Sequence, residues 1–523
     1  THVVHLWACT PPESEPDTPA ELEGRLQRTG YSVLYLARAL AAGFRTAVRL
    51  HVITAHGQDT GLPDEEPVHP ERATPWAVAR VVAREYDRIP CSGVDLDRDA
   101  LESGRAVDFL LGEWSAPETT QDRELWVAYR AGQRRTRELA ALEPPAESQH
   151  YPFPPGGIYL ITGGQGGLGL ELARRIAGHG PCRLVLLNRT PVPEDPDADR
   201  SRGIRDLEAL GAEVWPAVGD VADPAGMAAL VREVNAKWGP IQGVIHAAGV
   251  LSSGLVATLD QERFATVLRP KGLGTWVLDR VTRDQPLGFF VLCSSLAALI
   301  SPAGLANYVA ANAYQDGFAA QARRARGRAV TAIQWGPWGE TGLLTRPELR
   351  GELNRPGVVP LTNEDGRRGL ELALDRAQTA VVRLDRRVTL ARLSGPLRAQ
   401  ETLTQPQATR AARKPWGAAP VSESDRELLL WLQARVVEEM AATLERDPEQ
   451  ISLDANFLEL GLDSLMAVEI MAIIRAELGA ELSPALLFDY PTIGEFTEYL
   501  VGEHGTALRG RLVTDSGRGS GAP

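Results

Sequence analysis

Four residues of this chain, Lys271, Ser295, Tyr308 and Asn312, have the side-chain types needed to reduce a carbonyl group. Reduction needs a hydride at carbon and a proton for the alkoxide that forms. A phenol, with its ordinary pKa of ~10, can give that proton if an ammonium and a hydroxyl stabilise the charge that moves. In this reading Tyr308 is the acid, Ser295 donates a hydrogen bond to the substrate oxygen, and Lys271 is the cation that lowers the tyrosine pKa. Asn312 follows Tyr308 by four residues, so on a helix it shares the tyrosine's face, where it is placed to fix a water or orient the lysine. Singly, each has a bland reading: a packing tyrosine, a solvated helix lysine, a strand-end serine, a surface amide. Their joint spacing, downstream of the turn described next, selects the chemical one.

The hydride calls for a nicotinamide, and the segment Thr162-Gly-Gly-Gln-Gly-Gly-Leu-Gly169 supplies a place for a dinucleotide. It follows a predicted strand ending at Ile161 and leads into a predicted helix. Glycines at 164, 166, 167 and 169 let the backbone turn sharply and approach a pyrophosphate, while the helix N-terminus offers amide donors and a favourable dipole. Thr162 and Leu168 complete the turn. Twenty residues beyond Gly169, Arg189 ends the second predicted strand. An acidic residue there would bind a ribose 2′-hydroxyl, whereas an arginine takes a 2′-phosphate, so NADPH is expected over NADH. Asp220 and Val221 after the third strand are expected at the adenine edge, and Ala247, Ala248 and Gly249 after the fourth provide small residues beside the cofactor.

Near the other end, Gly461-Leu-Asp-Ser464-Leu places a serine at the start of a predicted helix. A hydroxyl at a helix N-terminus suits a phosphodiester, which the amides and the dipole favour.

These groups need elements to position them. Residues 1–150 alternate strand-like segments (VVHLWAC, VRLHVITA, GVDL) with helical ones (Glu21 to Ala42, WAVARVVAREY) but contain no glycine-rich phosphate turn. Prolines and glycines then break all periodicity. From 151 to 395 the alternation is cleaner, with strands predicted at GIYLITG, CRLVLLN, AEVWPAV, GVIHAAG, GFFVLCSS and AVTAIQW, the pattern of a doubly wound parallel sheet covered on both faces. Residues 396–424 read as a linker, 425–505 as a small all-helical domain with helices near 425–446, 464–478 and 492–503, and 506–523 as a disordered tail. The fold class is α/β, two Rossmann-like subdomains followed by a helical bundle. Pro337 to Leu344 and the segment after it are expected to close over substrate.

A chain of 523 residues exceeds a single core, and its 44% apolar and 24% charged content is that of a globular protein. The net charge of -13 argues against nucleic acid or an anionic membrane as partner. Cys9, Cys91, Cys182 and Cys293 have no zinc or disulfide spacing, so reduced thiols, no metal and a cytoplasmic location are expected. No apolar run reaches a membrane span, no signal peptide opens the chain, and the start without Met, almost directly in a strand, suggests a fragment of something longer.

The segments HAAGV, RPKGLGTWVLD, VLCSSLAALISPAGLANYVAANAY and IQWGPW resemble type I polyketide synthase ketoreductases, members of the short-chain dehydrogenase/reductase superfamily. In that family the lysine sits on the helix before the serine strand, the serine precedes the tyrosine by thirteen residues and the asparagine follows it by four, a pattern that Lys271, Ser295, Tyr308 and Asn312 match. WAVARVVAREY, CSGVDLD and ELWVAYRAGQRRTREL resemble the structural subdomain of such enzymes, and LGLDSLMAVEI with LSPALLFDYPTIGEF resembles acyl carrier proteins, which carry 4′-phosphopantetheine on the residue matched by Ser464. The resemblance implies NADPH-dependent reduction of a β-ketoacyl thioester on the carrier, with ketosynthase and acyltransferase domains and a phosphopantetheinyl transferase as partners. Two other readings remain open: α-ketoacyl reduction in a depsipeptide-forming peptide synthetase, and a noncatalytic scaffold. Leu251-Ser252-Ser253 stands where one stereochemical class has Leu-Asp-Asp, and Ile300 where the other has tryptophan, so the alcohol's handedness is open.

Overall fold

The computed structural model describes residues 1–10, 14–44, 46–63, 65–115, 125–142, 153–342, 357–385, 425–444, 446–457, 460, 462, 464–478, 482 and 486–515. The linker expected at 396–424 lies outside them, as does the expected substrate-closing segment from residue 343 to 356. The chain forms two compact units: the first comprises Thr1–Ala83, Arg88–Ser252 and Leu259–Leu397, and the second consists mainly of Arg398–Pro523.

The first unit opens with β1 (His2–Ala8), α1 (Pro19–Leu26), α2 (Ser32–Gly43), β2 (Arg49–Ala55), α3 (Thr74–Glu85), β3 (Cys91–Leu96), α4 (Arg98–Glu102), α5 (Ala106–Ser115), β4 (Trp126–Arg130) and β5 (Gln133–Thr136). Strand order simply follows the chain, β1-β2-β3-β4-β5, with three parallel ladders and one antiparallel hairpin. Ligands of open α/β sheets sit where the strand order reverses. This sheet has no reversal, which agrees with its lack of a glycine-rich turn. The helix predicted from Glu21 to Ala42 is interrupted by one π turn, Gln27–Tyr31. Its Gly30 lies so near α3 that a Cβ there would sit 2.8 Å from Thr74 Oγ1. The sequence did not announce the β4–β5 hairpin, because its turn is Ala131-Gly132 rather than the usual Asn-Gly, although both residues adopt positive φ, 50° and 75°.

The same unit continues with β6 (Ile158–Thr162), α6 (Gly167–Ala177), β7 (Cys182–Asn188), α7 (Asp199–Ala209), β8 (Ala212–Val218), α8 (Pro224–Lys237), β9 (Gly243–His246), α9 (Gln261–Val281), β10 (Phe289–Ser295), α10 (Ala297–Ile300), α11 (Ala306–Arg326), β11 (Val330–Trp335), β12 (Val358–Val359), a helix Asn363–Ala373, β13 (Gln378–Val381) and β14 (Arg383–Leu384). Seven strands form one parallel sheet in the order β13-β11-β10-β9-β6-β7-β8. Every residue of β6, β10 and β11 is buried, the mark of strands covered on both faces. The seventh strand, β13, escapes sequence reading because QTAV is short and offers little apolar signal.

Helices α9 and α11 pack together and carry three of the four predicted reducing residues. The first half of the unit covers them. Tyr31 meets Phe264 with ring centroids 4.7 Å apart, and Trp276 Nε1 donates to Pro16 O at 3.0 Å. A Cβ on Gly317 would lie 3.1 Å from Pro70 Cα, so α11 needs glycine where the Pro70–Ala73 turn crosses it. At the helix end, Arg324 donates to Leu62 O at 2.6 Å and to Asp59 Oδ1 at 2.8 Å.

The second unit contains helices Asp425–Leu444, Ser464–Leu478, Leu486–Asp489 and Ile493–Asp515. Leu428, Leu432, Val436 and Met440 recur every fourth residue and pack with Ile470, Met471, Ile474, Phe496 and Leu500. The last helix runs to Asp515, where a tail without regular structure was expected from 506; TALRGRL is rich in good helix formers, which favour continuing the helix. Among the described residues no helix is long and apolar enough to cross a membrane.

Replacing Arg324 by methionine should leave the carbonyls of Leu62, Pro63 and Glu65 without this donor and Asp59 without its cation. The expected cost is about 2–3 kcal/mol, read as a lower urea midpoint of the first unit at unchanged slope; an unchanged midpoint would show that this contact does not hold α11.

Candidate active site

Strand order reverses between β6 and β9, and the predicted residues lie along the crevice at the C-terminal ends of the strands. Gly163, with φ 65°, makes the turn out of β6; a Cβ there would fall 2.8 Å from the backbone of Ala247 and Ala248. A Cβ on Gly169 would fall 2.4 Å from Gly163 O, so α6 can pack this closely only through glycine. Gly166 precedes α6 with no side chain capping the helix, which leaves first-turn amides for a ligand. Arg189 is exposed at the residue after β7, and Asp220 and Val221 follow β8, with Asp220 Oδ1 accepting from Ala222 N at 2.9 Å. Val221 is buried and packs toward α9, where a Cβ on Gly274 would meet it at 2.9 Å.

Lys271, Ser295, Tyr308 and Asn312 converge from α9, the end of β10 and α11. Lys271 is buried; its Nζ donates to Cys293 O at 2.6 Å and Gln315 Oε1 at 3.1 Å, and it stands 5.9 Å from the centre of the Tyr308 ring. Asn312 Nδ2 donates to Tyr308 O at 2.7 Å, one helical turn back. A Cβ on Gly249 would press on Lys271 Cε at 3.1 Å, so the loop after β9 lies directly against the lysine.

Burial raises the Tyr308 pKa above its ordinary value, opposed by hydrogen bonds from Ser295 and then Asn312. Burial likewise lowers Lys271, to about 8, with Cys293 and Asp316 acting the other way. An ammonium this near the ring favours the phenolate over the phenol and so acts against burial. A protonated phenol flanked by a hydroxyl, an amide and a cation is equipped to release a proton to an oxyanion.

Residues 157–340 match the family described as KR domain, and residues 434–500 the phosphopantetheine attachment site. Over 466 residues the chain is 33% identical to polyketide synthase GfsB of Streptomyces halstedii, which covers 84% of this chain and 8% of that protein. It is 34% identical over 384 residues to the phenolphthiocerol synthesis polyketide synthase type I Pks15/1 of Mycobacterium bovis, covering 69% and 18%. A solved A1-type ketoreductase is 31% identical, with a TM-score of 0.63 over 73% of this chain and 77% of that one. The first ketoreductase of the tylosin polyketide synthase is 30% identical, with a TM-score of 0.60 over the same shares. The chain belongs to the polyketide synthase ketoreductases. It spans only a small part of the curated relatives, 8% of GfsB and 18% of Pks15/1.

A ketoreductase takes its hydride from a nicotinamide, and the glycine cradle with its uncapped helix fits a dinucleotide. Several neighbours of the site in this ketoreductase carry no sequence signal. His246, fully buried and neutral because burial lowers its pKa to about 3, donates through Nε2 to Pro270 O at 3.0 Å and receives Thr162 Oγ1 at Nδ1 at 2.7 Å. It thereby ties the glycine turn to the residue before Lys271. Asn307 Nδ2 donates to Ser252 O at 2.9 Å while its Oδ1 accepts the Tyr308 amide at 2.8 Å. Gln165, inside the glycine turn, accepts Arg200 Nε at 3.1 Å and donates to Leu186 O at 3.1 Å. In the second unit Ser464 is the first residue of its helix, and Asp463 lies outside the described residues.

Gly166 has an ordinary extended conformation, and a Cβ there would meet only Gly163 O, at 3.2 Å. Gly166→Val should therefore keep the fold yet fill the space at the helix N-terminus. Cofactor affinity, followed by nicotinamide fluorescence, should fall at least about tenfold, or ~1.4 kcal/mol, with melting temperature unchanged. Equal affinity would mean that the dinucleotide binds elsewhere.

Proposed function

We propose that the chain reduces a β-ketoacyl thioester, carried on phosphopantetheine at Ser464, to the β-hydroxyacyl thioester with NADPH. The observation that carries this reading is the Lys271, Ser295, Tyr308 and Asn312 cluster beside the glycine cradle. Thr162, Gly164, Gly166, Gly167, Leu168 and Gly169 would hold the dinucleotide, which would supply the hydride. Asp220, Val221, Ala247, Ala248 and Gly249 line the rest of its cleft. Arg189, exposed at the residue after β7, answers a 2′-phosphate and so favours NADPH. Ser295 holds the ketone oxygen, Tyr308 gives its proton to the alkoxide, and Lys271 stabilises the phenolate left behind; Asn312 fixes the tyrosine's helical turn. One proton leaves Tyr308 for each hydride accepted, and it is restored from solvent.

Ketosynthase and acyltransferase domains would supply the substrate, and a phosphopantetheinyl transferase would load Ser464. The relatives more than 30% identical are polyketide synthases, which favours a β-keto substrate over the α-keto substrate of a peptide synthetase. A keto acid-selecting peptide synthetase module is similar at 23% identity and a TM-score of 0.65, a likeness of fold alone.

Incubation with a β-ketoacyl pantetheine donor and NADPH should raise the mass of the Ser464 peptide by the ketoacyl arm plus two hydrogens; an arm that stays unreduced overturns the assignment. Tyr308→Phe should lower the rate of NADPH oxidation by ~10²–10⁴-fold with cofactor binding intact. A scaffold module would show no difference. Because Lys271 acts as the ammonium and its pKa is depressed to about 8, kcat/KM should be sustained below that pH and decline as pH rises through it; a profile flat to pH 10 would remove Lys271 from this role.

A further inference from the structure

We propose that Asp316 is a positioning residue of this reductase, a buried carboxylate that keeps the Lys271 ammonium charged and so sets the upper pH limit of the reaction. The inference rests on the reading of Tyr308 and Lys271 given above.

Tyr308, Asn312, Gln315 and Asp316 occupy positions i, i+4, i+7 and i+8 of α11, a single stripe of the helix. That stripe faces the protein interior: Asn312 and Gln315 are 0% exposed and Asp316 8%. An inward helical stripe is ordinarily apolar, and four consecutive polar positions on it carry a desolvation cost that packing does not explain. The first two have roles in the reading above. Gln315 also has one, since it accepts Lys271 Nζ and donates to Thr275 Oγ1 at 3.3 Å.

Asp316 remains. Its Oδ2 accepts Gln334 Nε2 from β11 at 2.6 Å, and the Ser294 hydroxyl of β10 also favours its charged form. Its backbone carbonyl accepts Gln378 Nε2 of β13 at 3.0 Å. The direct partners are neutral, and no ion pair to Asp316 exists among the described residues. The cations that act on it at longer range are Arg137, after β5, and Lys271. Around Lys271 the titratable groups are Cys293 of β10, Asp316 and Tyr308 of α11, and neutral His246 of β9. Burial pushes Asp316 up to about 6, so it is a carboxylate at neutral pH. It is the carboxylate in this set that acts on Lys271.

The sign of the effect does not depend on which proton limits the rate. Removing a negative charge makes proton loss easier from Lys271 and from Tyr308 alike, and both losses stop the reduction. If the residue only braced the β10–β11–α11 contact, an asparagine would serve, because its Oδ1 can still accept from Gln334.

The test compares Asp316→Asn and Asp316→Glu with the parent chain, using a short 3-oxoacyl N-acetylcysteamine thioester and NADPH from pH 6 to 10. Asparagine should leave nicotinamide binding unchanged, keep the rate near pH 6.5 within about twofold, and move the alkaline limb of kcat/KM down by about half a unit or more, a roughly threefold loss above the limb. Glutamate should recover part of that shift. An asparagine profile that keeps the parent's limb, or that falls equally at every pH, overturns the proposal. Should the asparagine chain not fold, Asp316→Ser reads the same limb. A parent chain that reduces nothing would instead count against the proposed function, which separates the two failures.

Discussion

The structure depends on one desolvated cation. An ammonium taken out of water is costly unless acceptors replace its hydration, and Lys271 finds them in a strand carbonyl, Cys293 O, and a helix amide, Gln315. To satisfy both at once, β10, α9 and α11 must be held in fixed register. Buried polar contacts near the lysine do this: His246 to Pro270, Gln315 to Thr275, Gln334 to Asp316. Each fixes one of the elements that the lysine bridges. The same desolvation brings the lysine's pKa down toward the working range, so holding the cation in place and limiting its pH range are two consequences of a single burial.

Such a pair of helices cannot be left bare. α9 and α11 present Phe264, Trp276 and Gly317 away from the seven-stranded sheet, and the first half of the unit supplies Tyr31, the Pro16 carbonyl and the Pro70–Ala73 turn to meet them. That explains a domain with the strands and helices of a nucleotide-binding fold but neither its strand-order reversal nor its glycine turn. Its surface is spent on covering catalytic helices, and a reversed order would open a crevice that this task does not need.

The sequence discloses the parts of this architecture whose physics is local. CRLVLLN and AEVWPAV are strands with the predicted ends, because each is a short segment centred on β-favouring apolar residues between turns. The four converging residues were legible because reduction chemistry restricts their types and the helix restricts the spacing of Tyr308 and Asn312. What was not legible is whatever depends on a neighbour distant in sequence. The π turn at Gln27–Tyr31 lies where α3 passes beside Gly30, and the Ala131-Gly132 hairpin turn is held by strands on either side. His246, Asn307 and Gln165 look like any polar residue at a strand end, in the first turn of a helix or in a loop, until the fold brings Pro270, Ser252 and Arg200 to them. Asp316 was closest to being readable. Its place two helical turns beyond Tyr308 and one beyond Asn312 marks the same face, but a carboxylate on a helix is usually solvated, and only burial tells it apart.

In the proposed reaction the substrate arrives on an arm attached to the second unit, and this changes what the cleft must do. Tethering replaces affinity with effective concentration, in the millimolar range for short flexible connections. Contacts that grip ketone and alkoxide equally would then lower KM without speeding the chemistry, whereas contacts made only as charge builds on the oxygen lower the barrier. The residues around Tyr308 are of that second kind: a hydroxyl hydrogen-bonded to the phenol and an ammonium beside its ring. The loop bearing Leu251 and Ser252 lacks a charged group and is fixed instead by the Asn307 amide, which grips Ser252 and the Tyr308 backbone together. A tethered acyl chain needs a wall to orient it more than a charge to bind it, and a loop clamped to the helix that carries the acid provides a wall whose position is tied to the proton it must meet.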